Sequence, residues 1–106
     1  MAFDCAESGT SNCRAFILDL RSQAKAVISR SPDKETVSQG ILADIDGIKA
    51  LLDGDKSVNL TVPCVRGCYA NIAKAFSHCR AEERHILKRN VTAMLDKLKG
   101  LLGDSS

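Results

Sequence analysis

The chain has no tryptophan and only four aromatic residues, three phenylalanines and one tyrosine, among 106 residues. A core built without large rings must be filled by Leu, Ile, Val and Ala, which suits packed helices better than a β-sandwich. Proline occurs twice, at Pro32 and Pro63, so long stretches carry no obligate helix stop. No apolar run approaches the roughly 20 residues needed to span a membrane. Catalytic signatures are lacking as well: there is no HExxH, no GxSxG, no glycine-rich phosphate loop and no paired-carboxylate motif. His78 and His85 read as surface histidines, and Asp44 and Asp46, two apart, point to different sides of a helix. The expectation is therefore a protein that is not an enzyme and needs no cofactor.

Metal signatures are equally thin. Asp53-Gly54-Asp55-Lys56-Ser57 resembles the start of a calcium loop, but Val58 and Cys64 stand where the glycine and the bidentate glutamate belong. Cys64 and Cys68 form a CxxxC, without the paired CxxC knuckles of a structural zinc site. No metal is expected.

What the chain does have is helical periodicity. Between Cys68 and Lys99 there is neither proline nor glycine, and Val65, Cys68, Ile72, Phe76 and Cys79, then Ile86, Leu87, Val91, Met94, Leu98 and Leu101, step mostly by three and four. A continuous helix over 64–102 would outgrow a compact domain of this length, so a break is expected near residues 79–83, within the charged stretch Arg80 to His85. The alternative is one long C-terminal helix. Upstream, Cys13 to Ser29 reads as a helix with Phe16, Ile17, Leu20, Ala24, Val27 and Ile28 inward, and Asp33 or Lys34 to Leu52 as another, with Val37, Ile41, Ile45, Ile48 and Leu52 on its core face. Gly40 and Gly47 share one side of it and suggest close approach of another helix. Residues 1–12, rich in Ser, Gly, Thr and Asn, read as an N-terminal loop. Residues 53–63 read as a long overhand connection, with Val58, Leu60 and Val62 alternating in a short extended segment. The fold class expected over 1–106 is a single all-α domain: a small antiparallel bundle of four helices, or three with one long C-terminal helix.

Five cysteines, Cys5, Cys13, Cys64, Cys68 and Cys79, are dense for a reducing compartment. Cys5 and Cys13 can close a small loop, and Cys64 or Cys68 can reach Cys79 across the helix break, which leaves one thiol unpaired. Asn59-Leu60-Thr61 and Asn90-Val91-Thr92 are acceptor sequons. The first residues have neither the basic region nor the apolar region of a signal peptide. Thiol density and sequons together favour a mature secreted protein stapled by one or two disulfides over a cytoplasmic one.

The formal charge is +2, but residues 1–63 carry seven basic and nine acidic side chains and residues 64–106 carry eight and four. No basic run is interleaved with aromatics, so nucleic acid is not the expected partner. Arg80, Arg84, Lys88 and Arg89 line one edge at helical spacing, a basic ridge fitted to an acidic protein surface.

Two resemblances follow from these residues. Cys5 to Cys13 followed by Arg14-Ala15-Phe16-Ile17-Leu18, with Cys64 ahead of Tyr69-Ala70-Asn71-Ile72, loosely resembles the plant inhibitors of invertase and pectin methylesterase. That resemblance implies a disulfide-closed N-terminal segment ahead of a helical bundle; Cys68 is extra and this chain is shorter. Sequons, scattered cysteines and the last helix are similar in type to short-chain helical cytokines. No site residues are carried over from either. The functional expectation is a secreted ligand, effector or inhibitor, monomeric or homodimeric, that binds another protein through its helix faces. The alternative is an intracellular self-association or adaptor module with reduced cysteines.

Overall fold

The computed structural model describes residues 5–103 and consists of four α-helices, α1 (Cys5–Arg30), α2 (Lys34–Leu52), α3 (Pro63–Ser77) and α4 (Arg84–Gly103), with a 3₁₀ turn at Ala81–Glu83 leading into the last. Among the described residues there is no strand. Each boundary has a local cause. At α2, Asp33 accepts the Thr36 backbone N–H at 3.1 Å, satisfying one of the orphan donors of the first turn. Asp53 ends that helix, and Gly54 follows at φ +99°, a left-handed conformation that costs glycine little. At α3, Pro63 occupies the first turn, and Val62 offers no side-chain cap.

The cap for α3 comes from across the bundle. Asp44, on α2 and only 6% exposed, accepts the backbone N–H groups of Thr61 and Val62 at 2.8 and 2.6 Å and the Thr61 hydroxyl at 3.3 Å. The connection 53–62 thus runs back along α2 in an overhand path, as expected, but without an extended strand. Its apolar side chains cover Gly47: a Cβ there would lie 2.8 Å from Leu60 Cδ2 and 3.0 Å from Val58 Cγ1. Close approach at Gly47 is therefore real, but it is made by the connection and not by another helix. Gly40 has nothing within 4 Å of a Cβ position.

α1 lies against both α3 and α4, and α2 closes mainly on α4. Contacts fix the directions. Gly9 meets Leu87 and Thr10 meets Asn90, so α1 and α4 run parallel. Lys49 with Asp96, and Lys99 with Asp46, set α2 antiparallel to α4, while Cys5 beside Cys79 and Phe16 beside Cys68 set α1 antiparallel to α3. The core between them is aliphatic, with Leu20, Ile41, Ile45, Ile48, Ile72, Leu87, Leu95 and Leu102 fully buried, each worth about 1.5–3 kcal/mol of transfer free energy.

Three sequence-based expectations are corrected. Residues 5–12 are helix, not loop; Met1 to Asp4 lie outside the described residues. Ala6, Gly9 and Cys13 are buried at i, i+3 and i+7, Thr10 returns its hydroxyl to Ala6 O at 2.7 Å, and Gly9 lets Leu87 approach to 3.1 Å of a Cβ position. Second, a Cys5–Cys13 disulfide is incompatible with this helix, since eight residues at 1.5 Å rise separate the two by about 12 Å. Third, the buried stripe of α4 is Leu87, Val91, Leu95, Leu98 and Leu102, rotated from the expected one: Leu95 and Leu102 take the core, and Met94 and Leu101 fall to its edge. The break between α3 and α4 is where the charged stretch placed it. Arg80 is extended at φ −63°, ψ 146°, and the long-helix alternative is excluded.

Candidate functional site: an apolar groove along α1 and α4

The rotation of α4 leaves apolar surface outside the core. Leu18 is 54% exposed and Leu101 40%, the two exposed large hydrophobics among the described residues. Both line one groove of about 290 Å³, walled by Arg14, Ile17, Leu18 and Arg21 from α1 and by Met94, Lys97, Leu98 and Leu101 from α4. The parallel packing of the two helices produces it: the stripes that face each other bury Ile17 and Leu98, and the next residues outward on each helix cannot reach across the seam.

The groove is electrostatically one-sided. Its walls carry Arg14, Arg21 and Lys97 and no acid. On the flank of α4 that faces α2, Lys49 pairs with Asp96, Lys88 with Asp53, and Lys99 with Asp46 at 2.6 Å. Arg21 Nε is shut off from solvent and has no hydrogen-bond acceptor. A buried donor without a partner costs on the order of 1–3 kcal/mol.

The basic ridge read from the sequence is dispersed. Arg80 lies outside α4, so Arg80 and Arg84 do not share a continuous helix face. Arg84 donates Nε to Cys79 O at 3.0 Å, Lys88 is paired with Asp53, and Arg89 is exposed on α4. His78 and His85 are exposed, as expected. Asn59 is exposed in the connection, whereas Asn90 donates its side-chain amide to Thr10 Oγ1 at 3.0 Å in the α1–α4 seam.

The thiols separate into two groups. Cys13 and Cys68 are buried between α1 and α3, with Cys64 half-buried beside them at the start of α3. Burial pushes the Cys13 thiol up to about 11 and, with the neighbouring thiols Cys13 and Cys64 and Asp19 adding to it, the Cys68 thiol up to about 12. Cys64 moves in the same direction, also chiefly through burial. At the opposite end, Cys5 and Cys79 bring their sulfurs to 3.3 Å. Among the described residues no group of three or more His, Cys, Asp or Glu side chains is arranged to hold a metal ion.

Sequence reasoning missed Leu18, which sits one position past Ile17 and off the buried stripe of α1. Its signal was a leucine among Arg14, Asp19 and Arg21 on the wet side of that helix. Comparison with known proteins returned no matching family model, no matching curated protein and no matching solved structure.

Proposed function

We propose that the protein works outside the cell as a ligand, effector or inhibitor that binds another protein through the α1–α4 groove. The observation that carries this reading is the coincidence of Leu18 and Leu101, exposed together on one groove, with a rim of Arg14, Arg21 and Lys97. Exposed apolar side chains ringed by charge of one sign mark a docking surface. The matching partner segment presents apolar side chains at helical spacing, flanked by Asp or Glu, so that the apolar anchors fill the groove and a carboxylate reaches Arg21. Cysteine density and the exposed sequon at Asn59 support the extracellular assignment.

The test is selection of binders to the full chain from a displayed library of peptides. Enrichment of sequences with apolar residues at i, i+4 and i+7 and acidic flanks is expected. Their affinity should fall more than tenfold in Leu18→Asp, a substitution at an exposed position that leaves the thermal melt unchanged. Selected peptides that bind Leu18→Asp as well as the native protein would refute the assignment of the face.

A further inference from the structure

The second feature of the surface lies at the end of the bundle where α1 begins, and it is independent of the groove. Cys5 Sγ and Cys79 Sγ are 3.3 Å apart. The same Cys5 thiol donates to Glu83 Oε2 at 2.8 Å, and the Arg80 backbone N–H donates to Cys5 Sγ at 3.3 Å. The two sulfurs come from residues 74 positions apart, one on the first turn of α1 and one in the corner between α3 and α4, so the tertiary fold alone brings them together. A disulfide needs an S–S distance of about 2.05 Å, about 1.3 Å shorter than the separation here. Rotation of the two cysteine side chains can supply most of that shift, with Cys79 standing in the turn between Ser77 and Ala81.

We propose that Cys5 and Cys79 are a dithiol site that closes into a disulfide clasp by exchange with a small disulfide such as glutathione disulfide. The two sulfurs have different surroundings, and these set the order of events. Cys5 is half-buried and open to solvent, whereas Cys79 is 3% exposed and burial holds its thiol up at about 11. Cys5 therefore attacks first. Its proton passes to the Glu83 carboxylate, its sulfur bonds to one sulfur of the incoming disulfide, and the S–S bond of that molecule breaks to release one small thiolate. Cys79 sulfur then attacks Cys5 Sγ, displacing the second small thiolate, which takes up the Cys79 proton. The first small thiolate takes up the proton held by Glu83, so that two protein thiols have been oxidised and one small disulfide has been reduced to two thiols. Glu83 holds Cys5 in place and receives its proton; the Arg80 N–H stabilises charge on the same sulfur. Cys13, Cys64 and Cys68 take no part, because Cys13 lies about 12 Å along α1 from Cys5 and Cys64 and Cys68 belong to the first turns of α3, at the opposite end of that helix from Cys79.

The experiment equilibrates the reduced full-length protein with glutathione and glutathione disulfide, quenches with an alkylating reagent in denaturant, and maps cross-linked and alkylated peptides by mass spectrometry. The thiol count is expected to fall from five to three, with Cys5 joined to Cys79 and Cys13, Cys64 and Cys68 alkylated. Cys79→Ser should accumulate a glutathione adduct on Cys5, because the resolving sulfur is gone, while Cys5→Ser should leave Cys79 unmodified. Glu83→Gln should slow modification of Cys5 severalfold without changing which pair forms. Both serine variants are checked by circular dichroism for native helix content. If a serine variant loses its helices, the mapping of the native protein decides alone. Retention of five thiols in the oxidising buffer, or a cross-link joining any other pair, overturns the proposal.

Discussion

Replacing Asp44 by alanine tests the logic that ties the connection 53–62 to the bundle. Asp44 accepts three hydrogen bonds, two from backbone N–H groups that precede and open α3. α3 has no side-chain cap of its own, so nothing local replaces the carboxylate. Hydrogen bonds to a charged acceptor contribute roughly 1.5–3 kcal/mol each, and an unsatisfied buried donor costs about 1–3 kcal/mol. Thr61 is exposed and Val62 half-buried, so water recovers part of that loss, and removing the buried carboxylate also removes its own desolvation cost. The net expectation is a destabilisation of about 3 kcal/mol, a large share of the 5–15 kcal/mol typical of a domain. For a chain of this size that lowers the midpoint of thermal unfolding by roughly 12–24 °C. Asp44→Asn, which keeps one oxygen acceptor, should lose about 1 kcal/mol. Asp46→Ala, two residues along α2, removes only an exposed ion pair with Lys99 and should cost under about 1 kcal/mol. Urea unfolding followed by circular dichroism, on reduced protein throughout, measures all three. Equal midpoints for Asp44→Ala and Asp46→Ala would refute the tertiary cap.

The two glycines of α2 make a paired prediction: Gly40→Ala, with open space around its Cβ, should stabilise by up to about 1 kcal/mol through helix propensity. Gly47→Ala should fail to stabilise, because the gain is offset by displacement of Leu60 and Val58; matched thermal melts compare them. In alkali, Cys13 and Cys79, held up at about 11, and Cys68, at about 12, stay protonated when the unfolded chain, with thiols near 9, has begun to ionise. Their contribution to stability is full below pH 9 and is lost as pH rises from there through 11 to 12, so the urea midpoint should drop between pH 8 and pH 10 and should drop less in Cys68→Ala. Closing the clasp between residues 74 positions apart should raise the unfolding free energy by up to about 4 kcal/mol on the loop-entropy scale, read as the difference in urea midpoint between oxidised and reduced protein.

The parts of the fold legible in the sequence are those fixed by local chemistry. Asp33 caps and Asp53-Gly54 terminates α2 where the residue types place them, and the charged stretch after Cys79 turns because it has no apolar side chain to bury until Ile86. The first two turns of α1 were not legible. Ser8, Gly9, Thr10, Ser11 and Asn12 are all poor helix formers in isolation, and they are helical because Gly9 receives Leu87 and Ala6 is buried, contacts that exist only after α4 has docked. The thiol pairing followed from that error: with residues 5–12 as a loop, Cys13 is the natural partner of Cys5, and with them as helix Cys13 is out of its reach. The face of α4 was half legible. Its apolar arc is wider than a single stripe, with Met94 and Leu95, and Leu101 and Leu102, adjacent in sequence, and periodicity alone does not say which member of each pair faces inward.

That width leaves apolar side chains of α4 on the surface beside the basic residues of the groove. The helix dipole does not explain the basic rim: its influence is confined to the terminal turns, whereas Arg14, Arg21 and Lys97 lie in the interiors of α1 and α4, and the last turn of α4 carries no basic residue. It gives no reason for Arg21 to bury Nε without an acceptor. Nor does it explain why Leu18 and Leu101 stand exposed on the groove that Arg21 also lines. On the proposed reading, a single apolar segment carrying a carboxylate would cover the exposed leucines and pair with the basic rim of the groove.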